Sequence, residues 1–244
     1  MAKYVAETSV VSIDFDGVLA LGWPVKMKYA KEWFGVSLSL SQTKKEGFEA
    51  LMQSKGKPEI TYRSLMDPLN EKHILEYVVP EGCIQALGEL YQKGFRFAVV
   101  TSRNDHDLSY TRAFLKERFG NLIKYVHNTR DEPKGRFVSR LKPRAHIDDD
   151  LQKLVAIANL PVELVYFRQP ENAHENQFEK NRIVEIDEWM NIKQFLERVK
   201  FIHEAICWKY GLDNNYRNIH EIFGIKQNLS DGKVVELLKE YGFH

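Results

Sequence analysis

Short apolar runs recur along the first two thirds of the chain and alternate with stretches of helical periodicity. Val10-Val11-Ser12-Ile13 is β-branched and almost wholly apolar, as a strand buried on both faces of a parallel sheet must be, and it runs straight into Asp14. A second such run, Phe95-Arg96-Phe97-Ala98-Val99-Val100, ends at Thr101-Ser102-Arg103. Before it, Ile84, Leu87, Leu90 and Tyr91 fall at helical spacing, and Gly94 is placed to stop that helix. The alternation continues with a helix near Leu108–Phe119, a short strand at Ile123–Val126, a run Arg144-Ala145-His146-Ile147 ending at Asp148-Asp149-Asp150, and a strand at Val162–Phe167. Strands alternating with helices predict an α/β fold. It is a doubly wound parallel sheet with a Rossmann-like core, whose ligands bind beyond the carboxyl ends of the strands.

Residues 21–79 break the rhythm. They hold helix-like stretches near Lys26–Phe34 and Lys44–Gln53 and no buried strand, and they read as an inserted helical cap. At the other end, Trp189, Ile192, Phe195, Leu196, Val199 and Ile202 trace the apolar stripe of a long amphipathic helix, which Gly211 is expected to end; Val234–Leu238 suggests one more. The expected organisation is therefore a core of residues 1–20 and 80–187, a helical cap insertion at 21–79 and a C-terminal helical extension at 188–244.

Composition narrows the function classes. With 244 residues, 43% hydrophobic and 28% charged, the chain can bury a full core. Its 35 Lys and Arg against 34 Asp and Glu give no reason to expect duplex nucleic acid or an anionic membrane as the main partner. Any attraction for an anionic substrate must be local. Cys83 and Cys207 lack the number and spacing of a disulfide framework or zinc site, and no apolar run approaches the length of a membrane span, so cytoplasmic residence is the expectation.

The chemistry lies at the strand ends. In Asp14-Phe15-Asp16-Gly17-Val18 the two carboxylates are two apart, so both project to one side while Phe15 faces the other. Gly17 allows a sharp turn that leaves backbone N–H groups facing an anion. Asp-x-Asp-Gly arises by chance in about one chain in twenty of this length, and a simple turn remains the alternative. A calcium loop of the EF-hand type fits less well, because its glycine belongs at loop position six. The Thr101 hydroxyl, with Ser102 beside it, could bond a phosphoryl oxygen, although Thr-Ser after a strand is also a common helix cap. Asp148-Asp149-Asp150 sets three carboxylates together, which repel unless solvated or neutralised, and Mg²⁺ is the natural counter-ion. Lys134 could supply the positive charge that holds a phosphate near these acids; Lys142, closer to the triplet, is its rival.

Taken in order, Asp14-Phe15-Asp16-Gly17-Val18, Val99-Val100-Thr101-Ser102, Lys134 and Ile147-Asp148-Asp149 resemble the four motifs of the haloacid dehalogenase-like hydrolase superfamily, phosphatase branch, and the insertion resembles its helical cap. The resemblance implies a Mg²⁺-dependent phosphatase acting on a small phosphate monoester through an aspartyl-phosphate. Asp14 would be nucleophile and metal ligand, and Asp16 the acid/base whose backbone carbonyl also meets the metal. Asp149, with Asp148 beside it, would complete the metal site, and Thr101, Ser102 and Lys134 would hold phosphate. An acid at position 16 favours a phosphatase over a dehalogenase, whose departing halide needs no proton. The tail Val165–Asn172, then Asn181-Arg182-Ile183-Val184 and Trp189, is similar to that of the C-type deoxyribonucleotidases, which implies a nucleoside monophosphate as substrate. Trp23, Trp33, Phe34 and Phe48 in the cap could stack on a base or simply pack their helices. A phosphomutase using the same aspartates and a catalytically idle phosphate-binding module are the alternative functions. The partner expected is a small phosphorylated metabolite; the oligomeric state is left open.

Overall fold

The computed structural model describes residues 9–130, 132–173, 183–210 and 239, except for the side chains of 206–210. The described strands, β1 (Ser9–Ile13), β2 (Phe95–Thr101), β3 (Ile123–Asn128), β4 (Ala145–Asp148), β5 (Glu163–Phe167) and β6 (Ile183–Ile186), form one six-stranded sheet in the order β3-β2-β1-β4-β5-β6. Every neighbouring pair is parallel. The chain winds outward from β1 to β3, returns across the sheet, and winds outward again from β4 to β6. The order therefore reverses between β1 and β4, where the two strand ends leave a crevice open to a ligand.

Register fixes what stands there. Ile13 pairs with Ile147 and Ser12 with His146, so the next residues, Asp14 and Asp148, leave the sheet side by side. The Asp14 N–H donates to the Ile147 carbonyl at 2.8 Å and ties the two ends together. On the other side Ile13 pairs with Val99, which brings Thr101 one residue beyond the level of Asp14. Alternation along the strands puts Ser12, Asp14, His146 and Asp148 on one face and the apolar Val11, Ile13, Ala145 and Ile147 on the other.

Both faces are covered. One carries a large core from the apolar face of the sheet, including Val11, Ile13 and Phe97, to α4 (Cys83–Gln92) and α8 (Trp189–Tyr210). A smaller cluster of Val138, Leu151, Leu154, Ile157, Leu164 and Tyr166 seats α6 (Lys134–Leu141) and α7 (Leu151–Ala156). α5 (Asp105–Phe119), capped by the Asn104 side chain, links β2 to β3 and buries Phe114 against Phe15 with ring centres 5.4 Å apart. α8 begins on the loop after β1: the Trp189 indole N–H donates to the Val18 carbonyl at 3.2 Å.

Between β1 and α4 the chain forms α1 (Trp23–Phe34), α2 (Lys45–Ser54) and α3 (Tyr62–Lys72). An antiparallel bridge between Leu21 and Val78, bonded in both directions at 2.8 and 3.2 Å, joins the two ends of this segment. Phe48 is fully buried, 6.1 Å from Phe34 and 5.9 Å from Tyr62, and Trp33 packs on Tyr29 and Phe34. These three aromatics are spent on packing. The expected spans are met within a few residues, with α1 starting three residues earlier and β3 running two further. α3, α6, α7 and β6 were not read from the pattern. Cys83 is buried and its thiol is pushed well up by that burial, as a packing residue's would be. The side chain of Cys207, Gly211 and the helix expected at Val234–Leu238 lie outside the described residues.

Candidate active site

At the carboxyl ends of β1 and β4 a lysine joins the two aspartates that the sheet register sets side by side. Lys134, the first residue of α6, lies 2.9 Å from Asp14 Oδ2 and 2.6 Å from Asp148 Oδ2, with all three side chains almost fully buried. Below them His146, also fully buried, places Nε2 3.4 Å from Asp148 Oδ2 while its Nδ1 meets the Ser12 hydroxyl at 2.8 Å. The other Asp148 oxygen accepts from the Asp150 N–H at 3.0 Å. Asp148 is thus held from several sides. Burial alone would raise its pKa, but Lys134 and His146 outweigh that and hold the carboxyl well below the usual range.

The other two acids of the cluster are less fully compensated. Burial and the neighbouring Asp148 push the Asp14 carboxyl up, against the pull of Lys134. For Asp149, burial together with Asp148, Asp14 and Glu171 raises the carboxyl well above its ordinary value. Asp14, Asp148 and Asp149 each offer an oxygen within 4.8 Å of the others. A set of carboxylate oxygens with more negative charge than the adjacent ammonium balances fits a hard divalent cation. Gly17 makes room for the Asp149 carboxylate: its φ of +75° is the left-handed turn glycine permits, and a methyl there would run into that side chain. The Asp149 carbonyl accepts from the Asn172 side-chain amide at 2.9 Å, which pins the loop after β4 to the turn after β5. Asp150 faces elsewhere and caps α7 through the N–H groups of Gln152 and Lys153.

Asp16 follows a different course. Its side chain is 46% exposed and gripped by Arg103, whose Nε and Nη2 donate to its two oxygens at 2.8 and 2.7 Å. The guanidinium lies over the Phe15 ring at 4.7 Å. Against its partial desolvation, Arg103 holds the Asp16 carboxyl below the usual range. Thr101 is buried at the end of β2, where its hydroxyl oxygen accepts from the Arg103 N–H at 3.3 Å; Ser102 is exposed.

Of the residues singled out in the sequence, Asp14, Lys134, Asp148 and Asp149 therefore converge, with Asp16 and Thr101 at the rim. Lys142 is exposed at the far end of α6. Arg103, His146, Lys26 and Asn172 were not assigned a place. Strand alternation offered a signal for His146, two residues before Asp148 as Ser12 is two before Asp14; Arg103 and Lys26 meet the site only through the tertiary fold.

No family model matches the sequence, and no curated protein matches it. Solved structures do match. A haloacid dehalogenase-like family hydrolase from Streptococcus pneumoniae superposes with a TM-score of 0.56 at 13% identity, over 77% of this chain and 98% of that one. The chain has the haloacid dehalogenase-like fold. The haloacid dehalogenase-type hydrolase YfnB of Bacillus subtilis, described as bound to magnesium, matches with a TM-score of 0.54 at 13% identity over 78% of this chain and 99% of its own. A haloacid dehalogenase-like hydrolase from Xanthomonas campestris gives 0.50 at 13% identity, covering 78% and 95%. The resemblance carried by the four short motifs thus holds at the level of a haloacid dehalogenase-like fold, where sequence identity is too low for a whole-chain sequence match.

Proposed function

We propose that this chain is a Mg²⁺-dependent phosphatase that hydrolyses a small phosphate monoester through an aspartyl-phosphate on Asp14. The observation that carries this reading is the Lys134 bridge between Asp14 and Asp148 beside Asp149, at the reversal point of the sheet. A carboxylate attacks a phosphate dianion poorly unless their repulsion is cancelled and the attack is aimed. Lys134 offers the cancelling charge, favours the ionised form of Asp14, and is itself positioned by Asp148. Asp14, Asp148 and Asp149 would hold Mg²⁺, with the Asp16 carbonyl as a further ligand; the ion would draw charge from the phosphoryl oxygens.

In the first half-reaction an Asp14 oxygen bonds to phosphorus as the ester P–O bond breaks, and Asp16 gives its proton to the departing alkoxide. In the second, Asp16 takes a proton from water as that water attacks phosphorus and releases Asp14. The Arg103 clamp favours ionised Asp16, the form the second half-reaction needs. Acting as an acid in the first requires that clamp to loosen. Thr101 and Ser102 at the end of β2 are assigned to the phosphoryl oxygens. The helices of residues 21–79 would cover the cleft and exclude water.

The test is a phosphate-release screen over nucleoside monophosphates, sugar phosphates and phosphorylated acids, with Mg²⁺ and with chelator. Release should need the metal. Asp14→Asn should leave only background turnover and form no phosphoenzyme. With an aryl phosphate, whose leaving group needs little protonation, Asp16→Asn should accumulate an acid-stable, hydroxylamine-sensitive phosphoenzyme, because acid/base help is worth ~10²–10⁴ in rate and the second half-reaction then lacks its base. Wild-type labelling of Asp14→Asn would remove Asp14 as the nucleophile.

A further inference from the structure

On the insertion side of Asp16 stands a lysine with no hydrogen bond or ion pair among the described residues. Lys26, in the first half of α1, is only 9% exposed, yet its ammonium makes no hydrogen bond or ion pair to a described residue. The side chain runs past Gly22, where an added Cβ would lie 3.3 Å from Lys26 Cε and 2.9 Å from the Tyr77 ring. The ammonium lies 5.8 Å from the centre of the Tyr62 ring. The acids around it are engaged elsewhere: both Asp16 oxygens are taken by Arg103, and Glu171 Oε2 accepts from the Thr43 hydroxyl at 3.0 Å. The stem of Lys26 is buried while its ammonium has no direct acceptor on a described residue, so an incoming anion would meet a cation that no protein carboxylate already holds.

Two other donors nearby share this state. Arg103 Nη1 is buried without an acceptor, and the Tyr77 ring that packs near Lys26 lies 5.9 Å from the same guanidinium. Trp23 Nε1, one turn before Lys26 on the same helix face, is likewise buried and unpartnered. Buried donors in folded proteins rarely go unpaired, and two of them beside a lysine that has no direct acceptor point to a ligand rich in acceptors.

We propose that Lys26 binds a second anionic group, carboxylate or phosphate, on the leaving-group side of the substrate, so that the preferred esters are phosphorylated acids or bisphosphates rather than phosphates of neutral alcohols. This rests on the phosphatase reading above and names the substrate class for it. Burial works against the charge of Lys26, but Tyr62, Glu171, Tyr77 and Asp16 together keep the ammonium protonated, so it offers a full charge to an incoming anion. Lys26 is a specificity residue here; the reacting phosphoryl group belongs to Asp14 and Lys134.

The experiment uses matched pairs that differ in the second anion: 3-phosphoglycerate against glycerol 3-phosphate, and adenosine 3′,5′-bisphosphate against 5′-AMP. In one arm, kcat/KM is measured with Mg²⁺ for the wild type and for Lys26→Gln, Lys26→Met and Lys26→Arg. In the other, affinities are measured by calorimetry in Asp14→Asn protein with and without Lys26→Gln, which reads recognition without turnover. The charged member of at least one pair should be favoured by about tenfold or more, the worth of one charge-assisted contact. Lys26→Gln and Lys26→Met should bring that ratio to within about twofold, mainly through KM, and Lys26→Arg should keep most of it. Equal use and equal binding of both members of both pairs, or a preference that survives Lys26→Gln and Lys26→Met, would overturn the role of Lys26. Absence of phosphate release from every ester, p-nitrophenyl phosphate included, would instead overturn the phosphatase reading, while the calorimetric arm still decides whether Lys26 selects anions.

Discussion

The two sides of the cleft are built on opposite terms. On the core side, at the ends of β1 and β4, Lys134 bridges Asp14 and Asp148 at 2.9 and 2.6 Å and the Ser12 hydroxyl meets His146 Nδ1 at 2.8 Å, each side chain set by strand register or by the start of α6, while His146 Nε2 approaches Asp148 at 3.4 Å without a hydrogen bond. On the insertion side, the Lys26 ammonium has no hydrogen bond or ion pair to a described residue, and Trp23 Nε1 on the same helix and Arg103 Nη1 just beyond β2 are buried without an acceptor among the described residues. A preorganised half suits the chemistry common to every phosphate ester, since its charges need not rearrange when the reaction begins. A half with unspent donors suits discrimination, because only a ligand with the right acceptors satisfies it. Under the proposed function, the sheet would supply the reaction and the insertion the choice of substrate.

The sharpest way to break this contrast is to remove the cation that holds the core side together. Lys134→Met leaves Asp14 and Asp148 buried and facing each other, and taking one partner from a buried ion pair costs about 3–5 kcal/mol. Urea unfolding at neutral pH should show a loss of that order, partly recovered by Mg²⁺. A loss below ~1 kcal/mol, the range of exposed pairs, would mean that Lys134 does not bridge the two acids as described.

Metal comes next in size. Mg²⁺ at a hundred times its dissociation constant should stabilise the protein by ~2.7 kcal/mol, and Asp149→Asn should abolish most of that gain. The same substitution should stabilise the metal-free protein. Because the Asp149 carboxyl is raised well above its unfolded value near 3.8, the folded state binds the proton more strongly, and stability is lost as pH rises from that value through the folded pKa. Asparagine escapes the loss, so its advantage should grow with pH. By the same linkage, Mg²⁺ should bind more weakly as pH falls and Asp149 protonates. Thermal melts at several pH values, with metal and with chelator, measure all three effects.

Arg103→Gln tests the seam between the halves. The guanidinium lowers the Asp16 pKa, so its removal should move the acidic limb of the pH–rate profile upward. An unmoved limb would show that Asp16 does not supply the base for the second half-reaction.

The core side was far more legible in sequence than the insertion side, for a physical reason. Buried parallel strands write themselves as continuous apolar runs, and a chain that ends such a run in carboxylates announces both the strand end and the site. Asp14, Asp148 and Asp149 were visible that way, and Lys134 through its place in the motif order. α3 was hidden because Pro68 interrupts it and only Leu65, Leu69 and Asn70 turn inward; α7, at six residues, is too short for a periodic stripe. Arg103 and Lys26 could not be found at all. A lysine on an amphipathic helix reads as solvated surface, and only the packing of Tyr62 and Tyr77 around Lys26 shows otherwise.

The smallest effect should come from Asp150, the acid adjoining the metal cluster that the structure gives a different task. In sequence the three aspartates are identical neighbours, and only the motif order sets Asp149 and Asp148 apart from Asp150. In the fold, Asp148 orients Lys134, Asp149 faces Gly17 and the cluster, and Asp150 turns back to accept from the first N–H groups of α7. Such a cap is worth roughly 0.5–2 kcal/mol when replaced by alanine and almost nothing when replaced by asparagine, which caps equally well. Asp150→Ala should therefore lower stability by about 1 kcal/mol, and Asp150→Asn by little. Neither should change Mg²⁺ affinity by more than about twofold, since loss of one exposed charge near a site is largely screened. The comparison with Asp149→Asn is the decisive one. If Asp150→Asn weakened Mg²⁺ binding as much as Asp149→Asn, the ion would be drawn to the loop after β4 by its summed charge rather than by positioned oxygens, and the preorganised side of the cleft would lose its claim to be so.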